Sequence, residues 1–283
     1  MRHLIFSALL VSGLAGASAL NSNAQGKVDT TVTTVTTTTT TTTNNGKKEG
    51  KFTLTIGSDH IGGPKKDSLK IADANKGRFV GGITFTRVDL GYTRLIDNGS
   101  FTLSPENDFL DYRGGKTSTF SFDILQMGYR FSQNFKIYVA GGFDWTHIRL
   151  NKDITIQRNQ NTLTYVEDEI HFSKNRFSSS YVHIPLNFEL RTKENSNGKR
   201  FYFVAGPEVS FLLNGKVKQV SNERGKEKFK DDYNFQALRY GATARFGYDG
   251  IGLFTKFYFN DMFATTAQKG LTNMAFGITF GLN

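Results

Sequence analysis

The final segment of the chain alternates without a break. Met274, Phe276, Ile278, Phe280 and Leu282 fall on one side of an extended strand, and Ala275, Gly277, Thr279 and Gly281 on the other. This period of two places a continuous apolar row on one face of a sheet. In a soluble sheet the opposite row would meet water, but a row of alanine, glycine and threonine is too small and too weakly polar for that, and the pattern recurs in earlier segments. A closed barrel with lipid outside satisfies both rows.

Composition agrees with that reading. The chain has 26 Phe and 11 Tyr, yet its mean hydropathy is slightly negative at -0.37. Apart from the N-terminus, no run approaches the roughly 18 apolar residues of a spanning helix. A barrel tolerates low mean hydropathy because half of each strand faces a polar interior. The 29 Gly and 4 Pro suit strands and tight turns.

Residues 1–24 have the form of an export signal. Arg2 and His3 precede the apolar run Leu4 to Val11, and Ser22 and Ala24 place cleavage before Gln25. With no cysteine, disulfides, thiolate metal sites and a lipidated N-terminal cysteine are excluded together. The formal charge of +10 comes without a nucleic-acid motif, and export argues against that partner. Outer-membrane lipid, lipopolysaccharide or another acidic surface polymer is the expected counterpart, with protein partners in the periplasm or at the cell surface; solubility of the long loops is the plainer account of the charge.

Residues 25–50 contain a tract that is almost all threonine between 29 and 43. It lacks the apolar surface needed to offset chain ordering, so a disordered tether is expected. Residues 51–78 carry two short alternating pieces, Phe52 to Ile56 and Leu69 to Ile71, around Gly62-Gly63-Pro64. They read as a small periplasmic hairpin, or, for Phe52 to Ile56, as an extra strand.

From 79 to 283 the fold class is all-β, an antiparallel transmembrane β-barrel of about eight strands. These are expected near 80–95, 117–131, 135–150, 178–192, 199–214, 233–248, 250–261 and 271–282. Ten residues rising about 3.3 Å each and tilted by about 40° cross roughly 25 Å of hydrocarbon. Connections at 132–134, 193–199 and 249–250 are short, whereas 96–116, 151–177, 215–232 and 262–270 are long and mostly charged, so the long ones face the exterior. Asn214-Gly215 and Asp249-Gly250 read as turn dipeptides. Two segments change phase, Ile83-Phe85 against Val88-Leu90 and Phe120-Phe122 against Leu125-Met127; a β-bulge at each break restores the pattern. Trp145 and tyrosines near strand ends fit an aromatic girdle.

Parity sends Arg87, Asp89, Asp123, Asp144, His183, Asn187, Glu189, Glu208, Arg239, Arg245 and Lys256 to the interior. An eight-stranded lumen is just wide enough for side chains to fill, so these charges read as a paired structural plug, and a narrow conduit is the sharper alternative. His147, with Asp144 and His171, is the one loose grouping that acid–base chemistry would need, and no serine motif or metal-ligand spacing accompanies it. No enzymatic activity, catalytic residue, metal or cofactor is therefore expected.

The run Tyr181-Val182-His183-Ile184-Pro185-Leu186, followed by Ala205-Gly206-Pro207-Glu208 and the charged stretch Lys216 to Asp232, resembles the PorT-like outer-membrane β-barrel proteins of Bacteroidota. Leu238 to Ala242 and Arg245 to Tyr248 continue the likeness, which covers roughly 80–283. The resemblance implies a barrel in the outer membrane of a Gram-negative bacterium with a structural or interaction role. For the PorT branch it implies an accessory part in type IX secretion or gliding. In that setting Asp29-Thr30-Thr31 and Asp67-Ser68-Leu69 match a short O-glycosylation acceptor, at Thr30 and Ser68, that chance also produces.

Overall fold

Alternating residues need neighbouring strands on both sides, and the computed structural model shows how they find them. It describes residues 33–44, 47–58 and 77–281. Eight antiparallel strands form the barrel: β1 (Arg78–Asp97), β2 (Ser118–Arg130), β3 (Phe135–Arg149), β4 (Lys174–Arg191), β5 (Phe201–Ser221), β6 (Leu238–Tyr248), β7 (Ile251–Tyr258) and β8 (Leu271–Gly281). Each pairs with the next in sequence, and β8 returns to β1 with Leu271 opposite Asp97 and Gly281 opposite Arg87, so the ring has no free edge. Among the described residues no helix is long and apolar enough to cross a membrane.

Facing follows the alternation. On β7, Ile251 and Leu253 are 60% and 65% exposed, whereas Phe254 and Lys256, in the alternate phase, are 4% and 2% exposed. Phe276 and Ile278 on β8, Phe201, Phe203 and Phe211 on β5, and Tyr240 and Phe246 on β6 continue this apolar outer belt. A belt of that extent is a lipid-facing surface. Phe120, Phe122, Phe143 and Trp145 cluster on its wall, with centroids 5.5–5.8 Å apart; Trp145 stacks on Phe120 and Phe143.

Both phase breaks contain an irregularity. The β1–β2 register shifts between Ile83 and Arg87, and the β2–β3 register between Asp123 and Leu125. The two-residue turn at Asp249-Gly250 has φ of 50° and 88°, the left-handed pair an Asp-Gly hairpin adopts.

Two expectations need correction. Asn214-Gly215 is not a turn: β5 runs on to Ser221, and Gly225–Asp231 folds back on it from Ser221 to Gly215. Opposite β4, Ser180 pairs with Asn214 but Tyr181 with Leu212, so Leu213 is an extra residue, a bulge whose polar follow-on imitates a turn. The stretch 151–177 is not simply loop. It holds a small ladder of Ile154–Ile156 with Tyr165–Glu167, and β4 starts at Lys174. Separately, Thr33–Asn44 pairs antiparallel with Lys47–Ser58, so Phe52 to Ile56 lies in a strand. Threonine buries little, but its branched Cβ favours extended backbone, and a two-stranded ladder pairs the backbone polar groups without a core. The export signal, residues 59–76, Thr30, Ser68 and Leu282 lie outside the described residues.

The long connections and the strand ends that carry them share an apolar core of their own. Leu95, Leu110, Ile148, Ile154, Ile156, Val217, Met262 and Leu271 pack with Phe177, Phe235 and Phe263. The last three stack, with centroids 4.8 Å and 4.9 Å apart from Phe177 to Phe235 to Phe263. These residues close the barrel mouth with a folded cap.

Candidate functional site

Inside the barrel, β1 to β7 contribute charged inward residues to a column between the short-turn end and the cap. Arg87, Asp89, Asp123, Asp144, His183, Asn187, Glu189, Glu208, Arg239, Arg245 and Lys256 are all buried there. Lys136 joins them. Sequence parity reaches it, since it shares the phase of Asp144 on β3, but its place beside a short turn makes it look like a solvated end residue.

Three groups of contacts divide the column. Near the short turns, Lys136 Nζ lies 3.2 Å from Glu189 Oε2 and 4.2 Å from the ring centre of Tyr138, and Arg191 also bonds Glu189. Next, Arg245 donates to Asp89 Oδ2 through Nη2 at 2.7 Å and Nε at 3.2 Å, and Nε also reaches Oδ1 at 3.4 Å, charge-assisted bonds of guanidinium to carboxylate. Arg87 lies beside this pair, over Tyr202 and within 3.5 Å of the Tyr138 hydroxyl. Further out, Lys256 Nζ bridges Asp144 at 2.5 Å and Glu208 at 3.0 Å. His183 bonds Asp123 at 2.8 Å, and Tyr258 donates to Asp144 at 3.2 Å. Arg239 stands 3.5 Å over the Tyr258 ring and bonds Asn273, directly below the cap.

The backbone is shaped to this packing. At Gly142 a Cβ would come within 1.9 Å of the Phe122 carbonyl oxygen and 2.7 Å of His183 Nε2, so only glycine lets β2 and β3 approach while the imidazole crosses the lumen. A recess of about 240 Å³ opens at the short-turn end, bordered by Arg87, Glu189, Arg191, Arg200 and Tyr202.

Asp144, His183 and Glu208 present ligand atoms within 4.8 Å of one another, a spacing that could hold a metal ion. Here Lys256 supplies the positive charge, touching both carboxylates. The grouping of His147, Asp144 and His171 does not assemble. Asp144 points into the lumen while half-buried His147 is three residues on, in the opposite phase, and His171 bonds Asp153 in the cap at 2.8 Å. Although burial pushes the Asp153 carboxyl up, the Phe172 N–H and His171 hold it below the ordinary carboxylate range.

A closed eight-stranded wall with lipid-facing aromatics, a paired polar interior and a capped outer end defines an integral outer-membrane β-barrel. The chain belongs to the outer membrane protein beta-barrel domain family, whose model matches residues 79–283. No curated protein matches the sequence. Among solved structures it is similar to the crystal structure of Ail, the attachment invasion locus protein of Yersinia pestis, in complex with the heparin analogue sucrose octasulfate. That likeness has 13% identity and a TM-score of 0.30, and covers 72% of this chain and 98% of that one. The family places the protein in the outer membrane; it does not specify the PorT branch.

Proposed function

We propose that the barrel is a structural or interaction protein with a closed lumen, which holds its folded cap at the cell surface for partners and performs no catalytic step. One observation carries this reading. The buried charges pair with one another along the lumen, with Lys256 bridging Asp144 and Glu208 beneath an apolar cap. A buried ion network of this kind is costly to break, because each partner removed leaves a charge in low dielectric. The reading requires no cofactor or metal. Planar-bilayer recording tests it: protein whose folding is verified by heat-modifiable gel mobility should give no step conductance above the lipid background. Steady ohmic steps would instead establish the narrow-pore alternative.

The PorT resemblance adds a narrower version, an accessory of type IX secretion or gliding. Crosslinking in native membranes followed by mass spectrometry decides it, since recovery of secretion components supports the accessory role and their absence from a controlled sample removes it.

A further inference from the structure

The extra residue in β5 does more than interrupt the ladder. Outward side chains on β5 are odd-numbered up to Leu213, which is 51% exposed on the lipid side. The bulge shifts the phase, so that Lys216 and Lys218 project from the outer wall while Gly215, Val217 and Gln219 turn inward and are buried. Lys218 then stands opposite Arg176 of β4 and Lys228 of the returning strand, and Arg176 stands opposite Arg149 of β3. Four cations thus form one row across four strands. Lys216 lies opposite Lys230 in the adjacent row.

Like charges directly opposite each other destabilise a sheet, so this row carries a cost that a counter-anion would relieve. Among the described residues no acidic side chain makes an ion pair with any of its members, and Arg176 Nε has no hydrogen-bond partner. Lys218 is held below its ordinary value first by Lys174, with Lys226, Arg176 and Lys228 adding to the effect. Position narrows the choice of anion. Lys218 is five residues beyond lipid-facing Leu213, roughly 16 Å along the strand, which places the row on the same wall as the acyl chains and above them, with Lys216 between. Long basic side chains can lean toward that level, and guanidinium forks match phosphate oxygens.

We infer that Arg149, Arg176, Lys218 and Lys228 form a headgroup site for the phosphorylated glycolipid of the outer leaflet, lipopolysaccharide, held against the barrel wall. The inference uses the outer-membrane placement and is independent of whether the lumen conducts.

The full chain, refolded in detergent micelles and checked by heat-modifiable mobility, is titrated with rough lipopolysaccharide, with the same lipid after phosphatase treatment, and with soluble polygalacturonate. The intact lipid should bind at least tenfold more tightly than the dephosphorylated lipid. The double reversal Arg176→Glu/Lys218→Glu should abolish that preference, whereas Lys193→Glu at the opposite end should leave it unchanged. If the reversal misfolds, Arg176→Gln/Lys218→Gln must lower affinity at least threefold. Equal binding by wild type and these variants, no phosphate preference, or tighter binding of polygalacturonate overturns the assignment. Bilayer conductance reports on the scaffold reading separately, so the two can fail independently.

Discussion

Neighbouring residues on β7 test the distinction between lipid and lumen. Replacing Phe257 by Arg puts a charge into the lipid-facing belt and should cost about 2–4 kcal/mol, as measured by urea titration of folding into lipid vesicles. Lys256→Gln acts on the other side of the wall. It leaves Asp144 and Glu208 without their shared cation, and about 3–5 kcal/mol of destabilisation is expected, with a negligible change for Lys193→Gln in the exposed turn. Equal tolerance of Phe257→Arg and Lys256→Gln would contradict the facing. Gly142→Val should fold poorly because its side chain must displace either the Phe122 backbone or the His183 ring. These inward and outward assignments were legible from parity alone, with Lys136 as the omission. The partners were not: nothing in the spacing of Lys256, Asp144 and Glu208 along the chain says that three separate strands bring them within 3.0 Å.

Strands and loops differ in how much they disclosed. The breaks at Ile83 to Arg87 and Asp123 to Leu125 could be read because an apolar row changing sides demands an irregularity. The extension of β5 was hidden because its bulge is followed by an Asn-Gly pair and the strand beyond alternates valine with lysine above the membrane. The cap was hidden for a different reason: its apolar residues come singly from several strand ends and charged connections and form a core only when those segments meet. Phe177→Ala should therefore cost about 3–5 kcal/mol, although it lies outside the lipid belt, and should raise amide exchange across 154–167 in particular. Asp153 gives the cap a pH dependence. Its folded pKa lies below its unfolded value of about 4, so its contribution is present above that value and fades as pH falls through the folded one. Amides near Phe172 should lose exchange protection on acidification below about pH 4, and Asp153→Asn should remove that step.

For the whole molecule, closure of the ring, filling of the lumen and capping of the mouth act together. If the cap and the plug each block the lumen, loosening the cap with Phe177→Ala/Phe263→Ala should leave bilayers silent, and conductance should emerge only when Lys256→Gln is combined with it. Conductance from the cap variant alone would show that the interior pairs do not seal. The alternation of side chains determined a barrel, its strand count, its lipid face and the charged character of its interior, because a period of two is a local property that each strand carries in its own residues. Which charges pair, how the outer connections build an apolar cap and where the basic row faces were decided only by the tertiary structure, because each depends on register between strands and on bulges, and those are set by neighbours distant along the chain.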